Sequence, residues 1–323
     1  MDFLESEIPV ILAPMAGVTD LPFRKIVSKI SSPSLIFCEM LASEAMLRCA
    51  QKSLRRIASD SQTPLAVQLL GNNPNVMSDA AKICEQNGAK IIDINMGCPA
   101  KKIALNSEAG AALMKDETLA GKIIESVATS VKIPVTVKMR KGWDEAAQNA
   151  PKLAEIAESS GAKLITIHSR TRAQFYGGAA DWPFIKVVKS SVLLPVIANG
   201  DIRCEWTASE ILRISEAKGI MIGRACLGKP WLIGQILHFL KTGSLKPSPS
   251  IQDQLLIIEE HFEENLSHYG IEQGVRTFRK HLSWYSKRLP HSSEFRDNML
   301  KKSSPEEITN GIRHFYETIS KVI

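Results

Sequence analysis

The sequence predicts an α/β protein, a closed (β/α)8 barrel of the TIM type followed by a small all-α helical bundle, on three observations. Eight short apolar runs rich in β-branched residues recur at 10–13, 35–39, 65–69, 91–95, 135–138, 164–168, 196–198 and 220–222. Each leads through a Gly, Pro or polar turn into a longer stretch with helical spacing of apolar residues. After residue 241 this rhythm stops, and only helical spacing continues. Strands that alternate with helices call for parallel pairing through right-handed crossovers, and eight such units in about 250 residues match a closed barrel. A doubly wound open sheet is the alternative.

The order of the elements carries the case for closure. The first run opens into Pro14-Met15-Ala16-Gly17 and the second ends on Glu39. Gln68, Asn95, Lys138 and His168 lie at the ends of the next four, and the last two lead into Asn199-Gly200 and Gly223-Arg224. In a barrel these ends converge on one mouth, the face where the fold builds its sites. Taken singly, each polar residue reads equally well as a loop side chain meeting water. The barrel is placed at residues 1–242, and the Gly/Ser/Pro-rich stretch 243–250 is a linker by composition. A helical unit then fills 251–323, with Leu255, Ile258, Phe262 and Leu266 forming one apolar stripe.

Composition narrows the class. Of 323 residues, 44% are hydrophobic and 23% charged, which excludes a disordered chain and supports a large core. A formal charge of +6 favours a polyanionic partner. The cysteines, Cys38, Cys49, Cys84, Cys98, Cys204 and Cys226, are scattered without a Cys-x-x-Cys pair, so neither a zinc or other metal site nor a disulfide framework is expected. Asp2, Glu5 and Glu7 replace the basic start of a secretory signal, and no apolar run nears the roughly 18 residues that span a bilayer. The expectation is a cytoplasmic protein with reduced thiols and no membrane contact.

The segment Asn95-Met96-Gly97-Cys98-Pro99 puts a thiol in a tight turn just past a buried strand. With an ordinary pKa of about 8.5, such a thiol is mostly protonated at neutral pH, able to donate a proton as well as to act as a nucleophile. The other five cysteines read as inert fillers. Asn199-Gly200-Asp201 and Gly223-Arg224 end the seventh and eighth strands, where this fold often holds phosphate on backbone N–H groups; Arg224 can pair with a dianion. Lys138, on a buried strand, needs water, an acid or an electron-rich ligand. It reads either as a structural ion pair or as a cation beside a cofactor ring, with Gln68 bonding the same ring edge. Two basic clusters remain. His168-Ser169-Arg170-Thr171-Arg172 precedes Phe175 and Tyr176. In the tail, Arg276, Arg279, Lys280, His281, Lys287 and Arg288 surround Phe278, Trp284 and Tyr285, with no acid from residue 273 to 293. Each is a solvated face or a nucleic-acid surface, and the tail's aromatics stack on bases or form the bundle's core.

Taken together the motifs resemble the tRNA-dihydrouridine synthase family, nearest its bacterial B-type branch. The likeness rests on Ala13-Pro14-Met15-Ala16-Gly17-Val18-Thr19-Asp20, Val67-Gln68-Leu69, Asp93 through Pro99, Val137 through Trp143, His168 through Arg172, Ala198 through Asp201 and Ile222-Gly223-Arg224. The resemblance implies an FMN enzyme, reduced by NADPH, that saturates the bond between carbons 5 and 6 of particular uridines in tRNA. Hydride goes to carbon 6, and Cys98 gives a proton to carbon 5. It assigns Pro14, Met15, Ala16, Gln68, Lys138, His168, Asn199, Gly200, Asp201, Gly223 and Arg224 to the flavin and Asn95 to the target base. The Arg170 loop and the tail residues Arg276, Arg279 and Lys280 would contact tRNA. Ser169 stands where the family usually has glycine, and the tail matches by position and type more than by motif. A buried base cannot reach a barrel mouth, so the uridine must be extracted from the folded RNA. A monomer without an obligate protein partner is expected. The rival readings are a small-molecule flavin dehydrogenase, such as one acting on dihydroorotate, and a non-catalytic RNA-binding protein on the same scaffold.

Overall fold

Residues 1, 4, 7–58 and 63–322 are described in a computed structural model; Asp2 and Glu5 lie outside the described residues. The apolar runs become strands β1 (Val10–Leu12), β2 (Leu35–Phe37), β3 (Leu41–Ala42), β4 (Leu65–Leu70), β5 (Ile91–Met96), β6 (Val135–Arg140), β7 (Ile165–His168), β8 (Val196–Asn199) and β9 (Gly219–Ile222). Every pairing is parallel, and β2 pairs with both β1 and β4 while β1 pairs with β9. These contacts close an eight-stranded ring, which removes the open edge of the doubly wound alternative.

The expected second strand, 35–39, differs in detail. β2 ends at Phe37, opposite Ala66, and β3 resumes at Leu41, opposite Leu69. Four steps along one strand therefore face three along its neighbour. The extra residue is a bulge that throws Glu39 and Met40 toward the mouth.

Around the ring run α1 (Leu21–Ser31), α2 (Ser43–Arg48), α3 (Ala50–Ile57), α4 (Pro74–Gln86), α5 (Lys101–Ala104), α6 (Glu117–Ser130), α7 (Ala150–Ser159), α8 (Trp182–Ser191), α9 (Glu205–Ser215) and α10 (Leu232–Thr242). Asp20, Asn73, Asp116 and Asp181 cap α1, α4, α6 and α8 by accepting first-turn N–H groups, which fixes where each helix begins.

Strand periodicity sorts the core. Val10, Leu12, Val67, Ile92, Ile94, Val137, Ile167 and Ala198 face the helices, while Ile11, Leu35, Phe37, Ala66, Ile91, Ile197 and Met221 form a separate cluster inside the barrel. The same alternation turns Gln68, Asp93, Asn95, Thr136, Lys138, Arg140, His168 and Asn199 inward. An apolar floor thus carries a polar upper layer.

The chain leaves the barrel at Thr242 and re-enters a helix at Ile251. The tail is α11 (Ile251–Tyr269), α12 (Ile271–Ser286), α13 (Ser292–Met299) and α14 (Pro305–Ser320), with α11 packed on α1 of the barrel. Leu255, Ile258 and Phe262 are buried as the stripe requires, and Leu266 packs at its edge. Phe278 and Tyr285 lie in this same core, so the base-stacking reading fails for both: their rings are used to hold the bundle together. The filler reading also fails for two cysteines. Cys49 is exposed between α2 and α3, and Cys204 is half-buried at the start of α9, because both sit at helix ends rather than on packed faces. Among the described residues no helix is long and apolar enough to cross a membrane.

Candidate active site

A chain of hydrogen bonds crosses the polar layer. Thr136 Oγ1 donates to Asp93 Oδ1 at 2.5 Å, and Gln68 Nε2 donates to Asp93 Oδ2 at 2.7 Å. Asn95 Nδ2 then donates to Gln68 Oε1 at 2.7 Å. Asn95 Oδ1 accepts the backbone N–H groups of Gly97 and Cys98 at 3.0 and 2.9 Å. Three strands thereby fix the turn that carries the thiol. From the other side Arg140 Nε donates to the Gly97 carbonyl at 2.7 Å, and its NH1 reaches the carbonyls of Thr171 and Phe175, each at 2.8 Å. Arg140 was missed in the sequence, although it stands two residues beyond Lys138 and so shares its face. Burial pushes the half-buried Cys98 thiol up, against the Ala100 N–H and the charges of Arg140 and Lys138, so it keeps its proton at neutral pH.

Beside this turn a cavity of about 440 Å3 opens at the ends of β1, β6, β7, β8 and β9, within the usual range for small-molecule sites. Of the expected flavin residues, Pro14, Met15, Lys138, His168, Asn199, Gly200, Asp201, Gly223 and Arg224 line it. Ala16 is exposed on the first loop, and Gln68 is buried in the hydrogen-bond chain; neither lines the cavity, nor do Asn95 and Cys98. Lys138 donates to Asn199 Oδ1 at 3.1 Å, and burial, reinforced by Arg140, brings its ammonium down to about 8. Burial also holds His168 well below the usual imidazole range, so the ring is neutral. Gly200 has φ +127°, and a Cβ there would fall 2.9 Å from Ala180 Cβ and 3.1 Å from His168 Cδ2; only glycine fits that wall.

Tyr176, 51% exposed, lays its ring over the Arg224 guanidinium at 4.5 Å and roofs the cavity. Arg203, Lys229 and Arg288 also line it. Five cations thus face one acid, Asp201, whose carboxylate already accepts from Arg170 at 2.6 Å and from the Ala180 N–H at 2.9 Å. This donor set, a glycine cradle under surplus positive charge, fits a flavin that ends in a phosphate.

Arg170 corrects an expectation. It is only 1% exposed, and its guanidinium bonds the carbonyls of Gly177 and Gly178 as well as Asp201. It ties the loop behind Tyr176 to β8 and offers no charge to RNA. The expected tail contacts also separate. Arg276 is exposed; Arg279 is half-buried and donates to the Lys302 carbonyl at 3.2 Å; Lys280 donates to the Gly17 carbonyl on the first barrel loop. His281 is buried and neutral, and adds nothing to the basic surface.

A family model described as Dihydrouridine synthase (Dus) matches residues 11–320. The chain belongs to the dihydrouridine synthase family. Members similar to it over nearly their whole length include a probable tRNA-dihydrouridine synthase of Rickettsia bellii (strain RML369-C), 52% identical over 96% of this chain and 95% of that protein. A tRNA-dihydrouridine synthase B of Xanthomonas campestris pv. campestris is 42% identical over 96% and 93%. Among solved structures, morphinone reductase in complex with tetrahydroNAD superposes with a TM-score of 0.52 at 14% identity, over 76% of this chain and 90% of that one. Histamine dehydrogenase from Rhizobium sp. 4-9 gives 0.55 at 13%, over 79% and 49%. At such identities the likeness shows a common barrel fold.

Proposed function

We propose that the chain is an FMN-dependent tRNA-dihydrouridine synthase that takes its electrons from NADPH and reduces the 5,6 double bond of uridines in tRNA. The observation that carries the reading is a protonated Cys98 thiol, fixed by the Thr136–Asp93–Gln68–Asn95 chain, beside a cation-rich cavity bounded by Lys138. Names of the relatives support the substrate. Lys138, His168, Asn199, Gly200, Gly223 and Arg224 would hold FMN, which supplies hydride for carbon 6 of the uracil.

The chain's own groups do the rest. Hydride addition leaves an enolate whose carbon 5 needs a proton. The Cys98 S–H bond breaks as the C5–H bond forms. Arg140 and Lys138 then stabilise the thiolate until it regains a proton from water. Asn95 keeps one Nδ2 hydrogen against the weak acceptor Met40 Sδ at 3.9 Å, a contact readily exchanged for a carbonyl oxygen of the base. The surplus positive charge of the mouth suits a polyanion, and the extracted uridine enters beside Tyr176.

The test uses unmodified tRNA transcript, NADPH and the purified protein. Cys98→Ala should retain its flavin and oxidise NADPH, while dihydrouridine formation falls by about 10²-fold or more. Undiminished dihydrouridine in that variant overturns the assignment of the thiol.

A further inference from the structure

Arg288 comes from the tail, two residues past the end of α12, yet it lines the same cavity as Arg224 and Lys229 of the barrel. We propose that Arg288 is a phosphate-binding residue of the flavin cavity, so that anchoring of the cofactor's phosphate and docking of the tail onto the barrel are one linked event. The inference rests on the FMN reading above and adds a ligand from the other unit.

The first support is the joint that places Arg288. Gly228 lies on the loop that carries Arg224 and Lys229, at φ +70°, and a Cβ there would fall 2.3 Å from the Trp284 carbonyl oxygen and 2.5 Å from its carbon. That backbone cannot yield easily, since it belongs to the last turns of α12. The loop and the helix end are therefore locked together. Arg288, four residues beyond Trp284, is carried to the loop by the same contact.

The second support is charge. Among the described residues no carboxylate lies within ion-pair distance of Arg224, Lys229 or Arg288. Lys229 is held below its ordinary range by burial and then by the charge of Arg288, which outweighs the opposing charge of Glu205, so the two cations stand close enough to repel each other. Holding like charges together is unfavourable until an anion sits among them. A phosphate monoester supplies up to two negative charges and several acceptor oxygens for guanidinium groups. By linkage, whatever binds more tightly when the tail is docked also holds the tail in place.

The test titrates the flavin-stripped full chain with FMN and with riboflavin, the same ring system without the phosphate. Arg288→Ala should weaken FMN about tenfold or more while riboflavin changes less than about twofold. Arg288→Lys should recover part of the loss, and Lys287→Ala, one residue away and exposed, should alter neither flavin. Gly228→Val, which wedges the joint, should reduce the preference for FMN over riboflavin, and combining it with Arg288→Ala should add little further. An unchanged FMN-to-riboflavin ratio in Arg288→Ala, or equal losses for both flavins, overturns the proposal. Wild-type protein that takes up neither flavin overturns instead the FMN reading on which it rests.

Discussion

With no exposed surface, the Asp93 carboxyl is pushed up to about 7, burial outweighing the hydrogen bonds from Thr136 and Gln68 and the charge of Lys138. Both its oxygens accept hydrogen bonds, an arrangement that belongs to the ionised form. A proton on either oxygen turns an acceptor into a donor. If it lands on Oδ2, Gln68 must rotate its amide, and Asn95 then loses the oxygen that orients it. The free carboxyl titrates near 3.9, so between about pH 4 and pH 7 the folded chain holds a proton that the unfolded chain releases. Stability from this group is complete below that window and is lost as pH rises through about 7. Activity runs the other way, because the chain that seats Cys98 is intact only when Asp93 is ionised. Dihydrouridine formation should therefore climb through pH 7, and Asp93→Asn should flatten that limb and lower turnover by up to about 10²-fold while flavin stays bound. A rate–pH series on both proteins decides it: a limb of equal steepness in the variant assigns the titration to another group.

Where α11 and α12 meet α1, two histidines stand in for apolar side chains. His261 and His281 have ring centroids 4.5 Å apart, with Phe23 of α1 at 5.7 and 5.6 Å and Phe278 and Trp284 closing the sides. His261 shares a hydrogen bond with the Tyr285 hydroxyl at 3.0 Å, and Lys280 is the cation that both rings feel. Burial drives His261 down to about 3 and His281 in the same direction. An unfolded histidine takes a proton near 6.5, so below that pH the unfolded chain gains protons that the folded seam refuses. Stability from each ring is complete above about 6.5 and is lost as pH falls, by up to about 1.4 kcal/mol per pH unit. Between pH 7 and pH 5 His168 loses stability in the same way while Asp93 gains it, so the seam is read by difference: the urea midpoint of His281→Phe should fall less over that window than that of the wild type, by the share of this one ring. An undiminished drop in the variant places the acid sensitivity outside this seam. The helices themselves were readable from the spacing of their apolar residues, whereas the break of the second strand after Phe37 was not. Its residues are as apolar as a continuous strand's, and only pairing with β4 reveals the extra residue.

At the scale of the whole molecule, the barrel was legible because eight short apolar, β-branched runs alternate with stretches of helical spacing and chemistry-bearing residues cluster at the same ends of those runs. Lys138, His168, Asn199 and Arg224 could be placed at one mouth on that pattern alone. Burial of a charge is different: Arg170 and Arg172 sit in one basic run, and nothing local says that Arg170 is the one turned inward onto Asp201. Arg288 was read with the tail for the same reason, since its place in the cavity depends on how α12 docks. The tail's surface charge can now be apportioned. Arg276 is exposed, and among the described residues its guanidinium bonds only to Gln273 on its own helix, whereas Lys280 is committed to the Gly17 carbonyl in a loop whose Gly17 N–H is held in turn by Glu39. An exposed arginine that neutralises one phosphate contributes about one unit to the slope of log K against log salt for tRNA binding. Arg276→Ala should remove about that much, measured by titrating tRNA at a series of KCl concentrations. Lys280→Ala should leave the slope unchanged while lowering the melting temperature, because it releases the first barrel loop from α12. Equal slope losses in the two variants mean that Lys280 abandons Gly17 for a phosphate when tRNA binds, and the mouth then opens along the Gly17–Glu39 side.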